Sequence, residues 1–199
     1  MRSGPASLGL RPRSRSGVAV SAKKVSLTEY ESLLLAIIAR DEPTTAYRIC
    51  KVVERSPTAG FSSSAGAVYP IVGRLKARGL VTAAAVKADG RNTELLLATR
   101  EGRAAVRKWI TQVTPDQLLP VDPLRTRISH ADMLNPTERL AWLRKMRDAL
   151  AAKLEEIEAY ASAHREGLID YAHRHAIHIT QSRLAWLDEI LAIEAEKRG

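Results

Sequence analysis

The fold turns on residues 64–99, SAGAVYPIVGRLKARGLVTAAAVKADGRNTELLLAT. The first half of this stretch places Val68, Ile71, Val72 and Leu75 at helical spacing, which gives a helix over residues 64–78 one apolar face. Gly79 stops that helix, because glycine takes the left-handed conformation that commonly ends one. The second half changes period. Leu80–Lys87 and Asn92–Ala98 are extended runs separated by Ala88-Asp89-Gly90-Arg91, and Asp-Gly between such runs is the strongest short signal for a β-hairpin.

Working outward, Thr28 and Glu31 form a capping box ahead of Tyr30, Leu33, Leu34, Ile37 and Ile38, which recur at helical spacing. Asp41-Glu42-Pro43 ends that first helix, since the residue before proline resists the helical conformation. Thr44 or Thr45 caps a second helix through Tyr47, Ile49, Val52 and Val53, closed by Ser56-Pro57. Beyond the hairpin, Thr99 caps a further helix through Ala104, Val106, Trp109 and Ile110. Three helices, a hairpin and a closing helix over residues 26–113 predict a winged helix-turn-helix DNA-binding domain. In that geometry the third helix enters a major groove and the hairpin tip, with Lys87 and Arg91, reaches phosphate or the minor groove. The outward face of the third helix carries Gly66, Tyr69, Gly73 and Lys76, flanked by Arg74 and Arg78. Read as residues alone, Tyr69 fits either DNA contact or half-buried packing, and Arg74 and Lys76 fit either phosphate contact or a solvated face.

Charge separates the halves of the chain. The 199 residues carry 31 Lys+Arg against 22 Asp+Glu, a net charge of +9. Residues 1–25 contribute +6 without a single acid, residues 26–113 contribute +5, and residues 114–199 contribute −2. This asymmetry suggests a basic working surface followed by an assembly module. Residues 1–25, rich in Ser, Gly, Pro and Arg, read as a disordered basic arm suited to phosphate; the same composition is shared with transit peptides. One cysteine, Cys50, excludes an intrachain disulfide framework and fits a reducing compartment. The longest apolar run, Leu33–Ala39, is far short of the roughly 18 residues of a membrane span. A cytoplasmic, nucleoid-associated protein with no membrane partner is the expectation.

The second half predicts an α-helical dimerisation domain over residues 137–199, reached through a proline-broken linker, 114–136, with at most a short helix near residues 124–134. Asn135-Pro136-Thr137-Glu138 is a strong helix start. Leu143, Leu150 and Ile157 then repeat every seven residues, as do Ile177, Leu184 and Leu191 with Leu187 between them, which is the pattern of a coiled-coil seam. Ile179, Trp186, Ile190 and Ile193 form a second row on the last helix. Two rows on one helix suggest two partners, one of them from a second copy of the chain.

The ordered set Leu27-Thr28-Glu29-Tyr30-Glu31, Ala46-Tyr47, Gly66-Ala67-Val68-Tyr69-Pro70-Ile71-Val72-Gly73-Arg74-Leu75, Gly79-Leu80-Val81 and Thr99-Arg100-Glu101-Gly102 resembles the PadR family of transcriptional regulators. Asp122-Pro123-Leu124-Arg125 and Leu184-Ala185-Trp186-Leu187-Asp188-Glu189 resemble the long C-terminal dimerisation domain of the subgroup related to virulence-gene activators. The resemblance implies that Ser63, Ser64, Gly66, Tyr69 and Arg74, together with the wing, lie at or near DNA. Their chemistry agrees: serine hydroxyls and a helix N-terminus bind phosphate, Gly66 permits close backbone approach, and Arg74 supplies charge. Pro70 inside the third helix implies a loosened first part of that helix. The sequence departs from the family pattern at Thr45-Ala46 and at Leu95-Leu96-Leu97 in the second wing strand.

His164, His173, His175 and His178 cluster in sequence, but the offset of His173 from His175 on a helix and the lack of further ligands favour polar helix faces over a metal site. Trp109, Trp142 and Trp186 read as core or interface residues, or as the lining of a pocket for a small hydrophobic or aromatic effector. There is no phosphate loop, nucleophile elbow or zinc signature, so neither an enzyme nor a cofactor is expected. The sequence therefore predicts a homodimeric, sequence-specific regulator of transcription on double-stranded DNA, a repressor responding to an effector. The alternative is a winged-helix protein-interaction module without DNA binding.

Overall fold

The protein is described by a computed structural model covering residues 26–57, 60–88, 91–165 and 167–197. The basic arm, the Asp89-Gly90 turn and the side chains of Lys87 and Arg91 lie outside the described residues. The chain runs α1 (Glu29–Asp41), α2 (Ala46–Arg55), α3 (Ala65–Ala77), β1 (Val81–Ala88), β2 (Arg91–Ala98) and α4 (Arg100–Thr111). It continues through the single turn α5 (Pro115–Leu118), α6 (Pro123–Ile128) and a 3₁₀ turn (Ala131–Met133) into two long helices, α7 (Pro136–Ala163) and α8 (Gly167–Glu196).

The starts of these helices follow their capping chemistry. Glu31 N–H donates to Thr28 Oγ1 at 3.2 Å while Thr28 N–H donates to Glu31 Oε2 at 3.1 Å, a complete capping box. Thr45, rather than Thr44, caps α2, accepting from Arg48 N–H at 3.2 Å. Ser64 caps α3 and Thr99 caps α4 in the same way. Asn135 accepts from Thr137 and Glu138 N–H at 3.0 Å each, so α7 begins where the Asn-Pro-Thr-Glu sequence places it.

The apolar faces of α1, α2 and α3 close on one another and on the hairpin. Leu34, Leu35, Ile38, Ile49, Val68 and Leu75 are completely buried, and Leu96 of β2 nearly so. Burying such side chains contributes about 1.5–3 kcal/mol each. β1 and β2 pair antiparallel from Val81↔Ala98 to Ala88↔Arg91, which leaves the two-residue connection that Asp-Gly favours. Thr44 is buried because it forms a third, one-residue strand: its N–H donates to the Leu96 carbonyl at 3.2 Å and its carbonyl accepts from Leu96 N–H at 2.8 Å. The Leu-Leu-Leu segment of β2 serves this pairing, with Leu96 turned into the core.

The closing helix is set by backbone contact. Thr99 N–H donates to the Leu80 carbonyl at 3.0 Å and Thr99 Oγ1 to the Gly79 carbonyl at 2.9 Å. Gly79 itself adopts φ +68°, the left-handed conformation that ends α3. A Cβ on Gly102 would sit 2.1 Å from the Leu80 carbonyl oxygen, so only glycine fits there. Glu42 ties the same region together, accepting Ala98 N–H at 2.8 Å and pairing with Arg103. The Arg103 hydrogen bond draws the Glu42 carboxyl below its ordinary value against the opposing effect of burial.

One reading of this half changes. α3 runs unbroken through Pro70 instead of loosening before it. Gly66 and Pro70 both lie on the exposed face, so the carbonyl that loses its N–H partner is open to water.

α7 and α8 form an antiparallel hairpin with its own core. Leu143 and Leu187 are buried against Leu124 of α6, with Trp142, Met146, Leu150, Trp186, Ile190 and Leu191 packed around them. Three ion pairs brace it: Arg139–Glu194 at 2.7 Å, Arg147–Asp188 at 3.1 Å and Arg183–Asp122 at 2.7 Å. Asp122 also caps α6 through Leu124 N–H at 2.9 Å. Leu124 therefore fixes part of the expected linker to the helical hairpin.

The heptad residues need reassignment. Leu187 has no exposed surface, and Leu143 and Ile157 are buried within this one chain. Leu143 and Leu187 meet in one core between α7 and α8. Leu150 and Leu191 pack on the flanks of the Leu143–Leu187 contact, and Ile177 and Leu184 are half-buried on α8. His173 is also buried, facing α7 with its ring edge against Tyr160 at 5.3 Å, whereas His175 and His178 are exposed. The inward row of α8 runs His173, Thr180, Leu187 at intervals of seven, which is why one histidine of the cluster leaves the polar face.

Candidate nucleic-acid interface

The site is built on the outward face of α3 and the wing beside it. Because Val68, Ile71, Val72 and Leu75 face the core, the opposite side must present Gly66, Tyr69, Pro70 and Gly73 to solvent, with Tyr69 52% exposed. No neighbouring atom would obstruct a Cβ at Gly66 or Gly73, so that face is open among the described residues. Ser63 and Ser64 stand at the N-terminus of α3. Ser64 Oγ accepts Ala67 N–H at 3.2 Å, which leaves the preceding N–H groups pointing outward, where an anion is favoured.

Two of the cations offered to phosphate, Arg74 and Lys76, are already paired. Arg74 Nε donates to Glu31 Oε1 at 2.7 Å, and Arg78 lies 3.8 Å from the other carboxyl oxygen. Glu31 is 6% exposed, so these arginines compensate a buried carboxylate. Burial pushes the Glu31 carboxyl up, but the hydrogen bonds from Arg74 and Thr28 and the nearby guanidinium charges outweigh it, and the group sits below its ordinary value. The Arg74 side chain nevertheless remains 55% exposed, so one guanidinium can serve both Glu31 and solvent or phosphate. Lys76 Nζ donates to both oxygens of Glu94 on β2 at 2.8 Å each, latching the helix to the wing. Lys76 and the wing thus form one surface, with an acid inserted between them.

The loop before α3 is held by contacts that the sequence reading missed. Tyr30 stacks on Phe61 with ring centroids 4.5 Å apart and planes 5° off parallel. Its hydroxyl donates to the Ser62 carbonyl. Burial, then the nearby Cys50, raises the Tyr30 phenol above its ordinary value. The signal in the sequence was slight: Phe61 is the only phenylalanine of the chain, and it sits in a polar loop.

A second basic face lies on α2. Tyr47, Arg48, Lys51 and Arg55, with Val52 and Glu54, line a groove of about 690 Å³ that reaches Asp41 and Thr44. Lys51 pairs with Glu54 at 2.6 Å and lies 5.9 Å from the Tyr47 ring centre.

The three tryptophans do not converge. Trp109 donates from Nε1 to Glu29 Oε2 at 2.8 Å, joining α4 to the start of α1. Trp186 packs on the second core. Trp142 alone lines a cavity, of about 200 Å³, with Arg127, His130, Ala131 and Leu134. Among the described residues there is no cluster of three or more His, Cys, Asp or Glu side chains able to hold a metal, and no helix long and apolar enough to cross a membrane.

Three helices, a wing closed by the Thr44 strand and a helical hairpin behind them define a winged helix-turn-helix protein with a C-terminal helical region. Residues 34–108 match the model of the family described as "Transcriptional regulator PadR-like family". Residues 34–108 thus form a domain of the PadR-like family of transcriptional regulators.

Solved structures share the whole fold. PadR of Bacillus subtilis in complex with operator DNA superposes with a TM-score of 0.72 at 14% identity, over 85% of this chain and 99% of that one. The same protein in complex with p-coumaric acid gives 0.67 at 16%, over 83% and 98%. The PadR-like regulator BC1756 of Bacillus cereus gives 0.66 at 18%, over 87% and 99%. The virulence activator AphA of Vibrio cholerae gives 0.62 at 20%, over 85% and 99%. At these identities the likeness is one of fold. No curated protein matches the sequence.

Proposed function

We propose that the protein is a sequence-specific repressor of transcription that binds double-stranded DNA as a homodimer. One observation carries this reading: the open face of α3 and the wing are joined into a single surface through Lys76 and Glu94, on a fold shared with a PadR bound to operator DNA. α3 enters the major groove with Gly66, Tyr69 and Gly73 against base edges or sugar, while Ser63 and Ser64 meet phosphate at the helix N-terminus. Arg74, Lys87 and Arg91 supply charge to the phosphates, and Lys76 does so when Glu94 releases it.

The dimer is formed by the second apolar row of α8. Ile179 and Ile193 are 45% and 51% exposed, Trp186 and Ile190 lie between them half-buried, and Leu168 continues the row at 80%. A row of this length is unusual on a free surface, and a second copy would cover it. Two-fold symmetry then sets two half-sites about one helical turn apart, or a multiple of that. The division into an arm (1–25), a DNA-binding domain (26–113), a linker (114–136) and a dimerisation domain (137–199) fits this arrangement, with Leu124 anchoring the linker. The cavity at Trp142, with Arg127 and His130 beside the indole, suits a small aromatic effector. A cytoplasmic location follows from work on DNA.

The test is selection of duplexes from a random pool by the full chain, followed by footprinting. Two related half-sites in one footprint support the reading. Binding that ignores sequence, or no salt-sensitive binding at all, overturns it in favour of a protein-interaction module.

A further inference from the structure

The first turn of α1 touches α3 near both ends, through neighbouring residues with opposite chemistry. Glu31 takes the C-terminal half, through Arg74 Nε at 2.7 Å and Arg78 at 3.8 Å. Tyr30 takes the N-terminal approach. Its ring lies flat on Phe61, and its hydroxyl donates to the Ser62 carbonyl, 32 residues away in sequence. From Ser62 the chain of contacts continues: Ser62 Oγ donates to Ser64 Oγ at 3.1 Å, and Ser64 caps the helix at Ala67.

These contacts add little to the core. Leu34, Leu35 and Leu75 already join α1 to α3 with no exposed surface, whereas Phe61 is 39% exposed and the Tyr30–Ser62 hydrogen bond lies at the surface. Water can replace such a bond at small cost to stability. Position is what it controls. Without it, the Phe61 ring stack still holds the loop to α1, but the backbone at Ser62, and with it Ser63, Ser64 and the open N–H groups, would lose a fixed direction.

We infer that Tyr30 is a positioning residue for DNA reading: its hydroxyl sets the loop before α3, and so the placement of the helix N-terminus on the duplex. The inference rests on the DNA-binding function proposed above. It adds a residue on α1, outside the reading helix and the wing, as a determinant of specificity. Preorganised groups bind better because ordering is complete before contact is made.

The experiment compares the full wild-type chain with Tyr30→Phe, which keeps the stacked ring and removes only the hydroxyl. Each is titrated with a duplex selected by the wild type and with an unrelated duplex, over a range of salt, and unfolding midpoints are measured in parallel. The expected result is about a tenfold loss of affinity for the selected duplex, the size of one hydrogen bond. Affinity for the unrelated duplex, the salt slope and the unfolding midpoint should not change. Unchanged binding by Tyr30→Phe overturns the positioning role alone. A salt slope lower by about one unit also overturns it, because the hydroxyl would then be touching phosphate itself. Equal losses on both duplexes with a lower midpoint reduce Tyr30 to a structural residue. A wild-type chain that binds no duplex overturns the proposed function, and this inference with it.

Discussion

Leu187 and Ile179 stand eight residues apart on α8 and make opposite predictions. Leu187 has no exposed surface and lies against Leu143 and Leu124, so its work is done inside one chain. Leu187→Ala removes three carbon atoms from that core. At about 0.8 kcal/mol for each, plus the cavity left behind, the helical hairpin should lose about 3 kcal/mol. Ile179 is 45% exposed, so an aspartate there meets water in a single chain and forfeits only the buried part of the side chain, about 1 kcal/mol. In the proposed dimer the arithmetic differs. Covering the exposed part of an isoleucine contributes about 1 kcal/mol, and two-fold symmetry counts the loss twice. That alone raises the dimer dissociation constant about 30-fold, before the cost of burying two carboxylates. Sedimentation velocity and denaturant unfolding, run on both variants at matched concentrations, separate the cases. Leu187→Ala should unfold at lower denaturant, and Ile179→Asp should sediment as a folded monomer. The reasoning is refuted if Ile179→Asp remains a dimer, or if Leu187→Ala dissociates with an unchanged unfolding midpoint.

Glu94→Gln should free Lys76 from the 2.8 Å latch, tightening binding to any duplex and raising the salt slope by about one unit; an unchanged slope in a salt titration means Lys76 never reaches phosphate. Gly102→Ala should destabilise the N-terminal half by about 3 kcal/mol, since its Cβ would lie 2.1 Å from the Leu80 carbonyl oxygen; wild-type stability in chemical denaturation would show that α4 can shift freely. Glu31, Glu42 and Asp122 are all held below their ordinary values, so the unfolded chain binds more protons than the folded one. Their stabilisation is complete at neutral pH and should fade as pH falls below about 5. Thermal melting across that window checks it, and Glu31→Gln should flatten the dependence.

The DNA-binding half was legible because its signals are local. Capping at Thr28, at Thr44 or Thr45 and at Thr99, the apolar spacing of α3 and the Asp-Gly hairpin signal each act within a few residues, and the elements formed close to where those signals placed them. The exposed face of α3 follows from the same spacing, since burying Val68 and Leu75 turns Gly66 and Tyr69 outward. Partnership across the chain was beyond reach. Nothing local tells that Arg74 answers Glu31 43 residues away, that Lys76 answers Glu94 on the wing, or that Thr44 adds a strand to Leu96. The heptad rows show the same limit. A seven-residue repeat announces that a helix has a helical partner but not which one, because the burial energy is the same whether that partner lies in the same chain or another. Only the return of α8 along α7 decided that Leu143 and Leu187 belong to each other, and that the row through Ile179 and Ile193 is left exposed.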